Sequence, residues 1–170
     1  MVDLQPLDRL QPALLDRLRD DAPDKRSESG EQRVLNRAQL REAVLRDLSW
    51  LLNSLRPPAR DGLAAWPEAE NSVLNYGMPC FSGETASSLD VTDLERAIHD
   101  ALLRFESRIV PGSLQVTADQ PDNVLDWHNV IAVRISALIW AQPVPLELML
   151  RTQLDLESGL VEVRDLGSNG

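Results

Sequence analysis

Apolar residues along this chain follow two rhythms, and the change between them divides the sequence. Leu7, Leu10, Leu14, Leu15 and Leu18 recur at helical spacing and predict a short amphipathic helix from about Leu7 to Arg19, with Pro12 able to push its start beyond itself. Leu40, Val44, Leu48 and Leu51 form the stripe of a second helix, from an Asn36 cap to about Asn53. Leu45 and Leu52 lie beside that stripe, Trp50 is expected to widen it, and Pro57-Pro58 end the helix. A third helix is predicted to open at the capping box Thr92-x-x-Glu95 and run to about Ser107. Leu94, Ile98, Ala101 and Phe105 share its apolar face, and Asp100 and Arg104 are spaced as an i,i+4 ion pair.

Past that helix the rhythm shifts to strict alternation. Leu114-Gln115-Val116-Thr117 reads as a short strand, and Val130 to Trp140 as a long one with Ile131, Val133, Ile135, Ala137 and Ile139 on one face. Leu146, Leu148, Leu150, Thr152 and Leu154 alternate with Glu147, Met149, Arg151, Gln153 and Asp155, the pattern of a strand with one wet face. Glu157-Ser158-Gly159 supplies a turn before a last strand beginning with Val161 and Val163. Pro143 and Pro145 fall between strands, where a missing N–H costs least. The expected class is α+β: N-terminal helices followed by an antiparallel β-meander packed on the helices.

The organisation that follows is an N-terminal amphipathic helix over 1–19, a polar linker over 20–33 and a single α+β domain over 34–166. Residues 57–90, rich in proline and glycine, read as a long irregular connection of the kind that carries function or short structure of its own. A helix on a leash suits docking to a partner as well as folding back on the core.

Charge narrows the partners. With 17 basic against 27 acidic residues the net charge is −10, which argues against nucleic acid and anionic lipid surfaces as ligands. Lys25 is the sole lysine. The lone Cys80 cannot form an internal disulfide and is expected to be a small buried thiol in a reducing compartment. The N-terminal residues lack a signal peptide's basic start and apolar run, and no apolar stretch reaches membrane-spanning length, so the expected address is the cytoplasm without membrane insertion.

Candidate chemistry is sparse. No phosphate-binding loop, nucleophile elbow or CxxC pair is present, and His99 and His128 have no metal-site spacing, so no cofactor, no metal and no catalytic residue are expected. His99 is expected on a solvated helix face, and His128 in a local bond at a strand start. Glu106 is the one carboxyl that would suit the acid of a glycosidase pair. It falls at the C-terminal end of a helix, where the macrodipole disfavours negative charge, so a positive group should offset it, either Arg108, near in sequence, or an arginine of a partner.

Four segments in order resemble TssE, the baseplate subunit of bacterial type VI secretion systems, a family similar to the contractile-phage baseplate wedge protein once labelled lysozyme-like. They are Arg41-Glu42-Ala43-Val44-Leu45-Arg46-Asp47-Leu48 with Trp50 to Asn53, Ser72-Val73-Leu74-Asn75-Tyr76-Gly77-Met78-Pro79, Phe105-Glu106-Ser107-Arg108-Ile109, and Thr152 to Val161. Ser107 stands where that family has proline, which predicts a helix running on until Pro111.

The resemblance implies an architectural role: contact with baseplate wedge subunits, and seeding of the contractile sheath by strand exchange with sheath subunits. It implies partner-binding roles for Glu106, Arg108, Leu74, Asn75, Tyr76, Gly77, Val161 and Val163, with residues 146–155 and 160–165 as the open edge. On that reading, Glu106→Ala or Arg108→Ala leaves the isolated fold nearly intact but weakens wedge assembly. The alternatives are a muramidase with Glu106 as acid and a generic intracellular adaptor.

Overall fold

The computed structural model describes residues 13–18, 24, 35–58, 66–83, 89–119, 129–141 and 144–167. The element order is α1 (Leu14–Leu18), α2 (Arg37–Leu52), α3 (Pro67–Glu70), a 3₁₀ turn (Val73–Asn75), α4 (Val91–Phe105), β1 (Gln115–Asp119), β2 (Val130–Ile139), β3 (Leu146–Asp155) and β4 (Val161–Asp165). The class is α+β, with a four-stranded antiparallel sheet in the order β1-β2-β3-β4. The proposed linker, apart from Asp24, and His128 and Pro143 lie outside the described residues.

One face of the sheet is the floor of the core. Ile131, Val133, Ile135, Ala137 and Ile139 of β2 face Leu148, Leu150, Thr152 and Leu154 of β3, and all are buried. Leu40, Val44, Leu48, Leu51 and Leu52 of α2, with Leu94, Ile98, Ala101 and Leu102 of α4, close the core from above. Each leucine removed from water there contributes about 2 kcal/mol, so the alternating and helical stripes together select this two-layer arrangement. The opposite face of the sheet carries exposed Arg134, Leu138, Glu147, Met149 and Arg151.

Asn36 caps α2 in a reciprocal box with Gln39, as its position predicts. Three expectations about helix side chains are corrected. Asp90, not Thr92, caps α4 by accepting from the Thr92 N–H. Glu95 is thereby released to reach β1, where it accepts from the Ala118 N–H at 2.8 Å. Arg104 turns to the Glu70 carbonyl at 3.3 Å, and Asp100 lies beside His99 instead. Trp50 is half exposed, its ring under the Arg46 guanidinium at 5.1 Å, because it falls off the buried stripe.

Helix α4 ends at Phe105 without a proline. Glu106 leaves the helical conformation, its carboxylate accepts from the Arg108 N–H at 2.9 Å, and the chain then bridges Ile109 to Ile139 at the end of β2. Tertiary pairing thus stops the helix where Ser107 alone would not. Cys80 is exposed, contrary to the buried thiol expected: it follows Pro79 in a loop held by a bridge between Leu55 and Met78, which leaves its side chain outside the core.

Candidate functional site

The exit of α4 carries the densest polar arrangement in the described chain. Glu106 is 5% exposed, and both carboxylate oxygens accept from Arg108: the backbone N–H and Nε bond Oε1, at 2.9 and 2.7 Å, and Nη2 bonds Oε2. Arg108 Nη2 also reaches Asp47 Oδ2 at 2.7 Å on α2. Asp47 Oδ1 in turn accepts from Arg46 Nε and Nη2, and Arg46 Nη1 ends on Asp16 of α1. The result is an alternating chain of charges, Glu106, Arg108, Asp47, Arg46 and Asp16, that joins three helices.

Alternation is what makes such burial tolerable: the three inner charges each have an opposite neighbour on either side, and Glu106 and Asp16 at the ends have one each. Burial opposes the charge on Arg108, yet hydrogen bonds and attraction from Glu106 and Asp47 together raise its affinity for the proton. The hydrogen bond from Arg46 holds the Asp16 carboxyl below its ordinary range, against the opposing effect of desolvation. Burial first, then the charges of Asp47 and Glu106, push the Tyr76 hydroxyl up. Asp16 also docks α1 against α2 while leaving Leu14, Leu15 and Leu18 exposed.

Besides Glu106 and Arg108, three of the residues expected to bind partners have internal duties. The buried Asn75 side chain donates to the Glu70 carbonyl at 3.0 Å, which closes the turn after α3. Tyr76 packs edge-on against Phe105 with ring centroids 5.2 Å apart. Gly77 has φ +112°, and a Cβ there would collide with the Ser54 carbonyl, so no other residue fits between the loop and the end of α2. Leu74 is exposed, next to exposed Val73.

Val161 and Val163 lie on β4, an outer strand, but residues 146–155 form β3, which is internal to the sheet. The expected edge therefore shrinks to β4, with β1 as the other. Asp155 N–H donates to the Leu160 carbonyl and Leu166 N–H to the Met149 carbonyl. By the antiparallel alternation, even-numbered residues of β4 face β3, and Val161, Val163 and Asp165 turn their main-chain groups away from the sheet. Helix α2 is fastened at both ends of this strand. Arg41 forks onto the Asp165 carboxylate and reaches the Glu147 carbonyl at 2.8 Å, and the Asn53 amide bonds both main-chain groups of Val161.

With this geometry in place, the comparison with known proteins decides the assignment: the family model for baseplate wedge protein gp25 matches residues 38–144. The chain belongs to the baseplate wedge protein gp25 family. No curated protein and no solved structure matches it. The gp25-family segment opens in α2 and closes before β3, so it contains Asp47, Asn53, the 72–79 loop, Glu106 and Arg108, whereas β4 lies beyond it. Membership gives this gp25-family chain a structural role of the baseplate-wedge kind, in assembly with other baseplate components. Among the described residues, no helix is long and apolar enough to cross a membrane, and no cluster of His, Cys, Asp or Glu is arranged to hold a metal ion.

Sequence reasoning found Glu106 and Arg108 but missed Asp47, Arg46, Asp16 and Asn53. Arg46 and Asp47 stood inside the first quoted helix segment, but no periodicity links them to residue 108. Asn53 was legible only as a helix end.

Proposed function

We propose that this chain is the TssE-type wedge subunit of a bacterial type VI secretion baseplate, working in the cytoplasm. It contacts wedge subunits around the α4 exit and the 72–79 loop, and it seeds the contractile sheath by accepting a sheath strand on β4. The observation that carries the reading is membership of the baseplate wedge family together with the ordered segments quoted above. The outward-facing groups of β4 support the strand-exchange part, since unpaired N–H and C=O groups on an outer strand are what a partner strand completes.

Within this reading the eight candidate residues divide by role. Leu74, Val161 and Val163 meet partners directly. Glu106, Arg108, Asn75, Tyr76 and Gly77 fix the shape of the surface, with the outer rim of the Arg108 guanidinium left for a neighbour's carboxylate. The domain plan remains an N-terminal helix over 1–19, a linker over 20–33 and one body over 34–166.

The muramidase alternative asks Glu106 to deliver a proton to a sugar oxygen. Both of its oxygens instead accept hydrogen bonds from Arg108, which suits a structural anion better than a general acid. Affinity purification of the tagged chain from cells carrying a type VI apparatus tests the proposal. Recovery of wedge and sheath subunits is expected, and their absence supports an unrelated adaptor. Peptidoglycan release by the wild type that disappears in Glu106→Gln would overturn the structural reading in favour of the enzyme.

A further inference from the structure

We propose that Asn53 is a removable latch on the outer edge of β4, holding the strand-pairing groups of Val161 until an extended segment of a partner takes its place. The inference rests on the reading of β4 as a docking seam and adds how that seam is guarded and what fits it.

A primary carboxamide carries the same donor and acceptor as a peptide group. Asn53 Oδ1 accepts from the Val161 N–H at 2.9 Å, and Asn53 Nδ2 donates to the Val161 carbonyl at 2.9 Å. An antiparallel neighbour would make this same pair of bonds to a single residue. The side chain therefore stands where a partner's main chain would stand, and that identifies the occupant: an extended, antiparallel polypeptide segment. The latch is set at the end of α2, where Nδ2 also donates to the Ser49 carbonyl at 2.8 Å. Arg41 fastens the far end of the strand through Asp165. Between the two, Val163 has no helix side chain bonded to its outward groups among the described residues. Among the described residues, edge closure is thus partial: two ends are fastened and the middle carries no such bond.

An apolar cavity of about 220 Å³ opens beside the latch, lined by Leu52, Leu55, Met78, Phe81, Leu160 and Val161. Leu55 and Leu160 at its mouth are 66% and 64% exposed. A segment that replaces the amide exchanges hydrogen bonds one for one, so the exchange itself is near neutral. A large apolar side chain entering the cavity supplies the net gain. Segments lacking that side chain are turned away by the latch, which protects the edge from indiscriminate pairing.

The test titrates the full chain into a fluorescently labelled, end-capped peptide of alternating valine and threonine with one central leucine, read by anisotropy. Loss of two competing hydrogen bonds predicts that Asn53→Ala binds this probe about ten-fold tighter than the wild type. Adding Val163→Pro, which removes an outward N–H, should abolish the gain. Circular dichroism checks that α2 survives; if the alanine variant loses helix, Asn53→Ser is used, because serine is too short to span to Val161. No gain in the variant, including no binding at all, overturns the latch. Equal binding by wild type and variant, lost in both with Val163→Pro, overturns the latch but leaves the seam standing. Binding that ignores Val163→Pro in both backgrounds overturns latch and seam together.

Discussion

Glu106 is 5% exposed with both oxygens committed to Arg108, whereas Val163, on the last strand, has its main-chain groups directed off the sheet. Both were expected to be handles for neighbouring subunits, and the contrast separates two kinds of availability. A charged side chain can bend back and satisfy itself within its own chain, and Glu106 does so within two residues. A strand edge cannot: its groups are fixed by the backbone, so they stay open unless another element covers them. In this chain α2 covers them at Val161 and clamps the strand at Asp165. The Glu–Arg motif therefore builds the surface, and the strand edge offers the bonds.

The sharpest way to break this contrast is Glu106→Ala. Removing Glu106 strips Arg108 of its buried partner and leaves it with Asp47 alone, which should cost about 3 kcal/mol, seen as a lower midpoint in chemical denaturation. An unchanged midpoint would return Glu106 to the status of a free handle, the role expected for it from sequence. A smaller effect distinguishes adjacent positions on β4. Proline at Glu162 removes a donor to β3 and should destabilise by about 1–3 kcal/mol, while proline at Val163 removes only an outward donor and should cost less, within about 1 kcal/mol. Equal costs by thermal melting would mean that the pairing alternation along β4 is misassigned.

Acid titration sharpens the comparison on its electrostatic side. Hydrogen bonds from Arg41 hold the Asp165 carboxyl below its ordinary range, and those from Arg46 do the same for Asp16. A depressed carboxyl stabilises the folded form above its unfolded value and loses that contribution as pH falls through its folded value. Melting temperature should therefore hold steady above about pH 5 and fall below about pH 4, with the α1 contact and the Asp165 clamp weakening there. A steady melt down to about pH 2 would contradict the role of both pairs. The smallest effect is expected for Leu18→Ser: Leu18 is 75% exposed, and the change should alter stability by no more than about 0.5 kcal/mol. A larger loss on urea titration would mean that α1 packs down through its leucines and not only through Asp16.

Much of the fold was readable from the chain. Alternation in β2 and β3 placed their buried faces residue by residue, because in a two-layer domain each strand position has only an inside and an outside. The stripe of α2 and its Asn36 cap were equally plain, since both are local. The errors have separate causes. Thr92 and Glu95 had the spacing of a capping box, but Glu95 gained more by reaching the Ala118 N–H across the sheet edge, and Asp90 took over the cap. Trp50 was counted with the apolar stripe, yet its place on the helix lies off the buried face, where its ring stacks under the Arg46 guanidinium.

The sequence by itself determined the order of elements, their amphipathic faces and the wedge-family resemblance, because periodicity, caps and turns are written in neighbouring residues. Only the tertiary structure decided that Asp47 joins Glu106 through Arg108, that β3 is interior and β4 outer, and that Asn53 answers Val161. Those facts depend on residues 61 and 108 positions apart being brought to within hydrogen-bond distance, which is set by how α2 lies along the sheet.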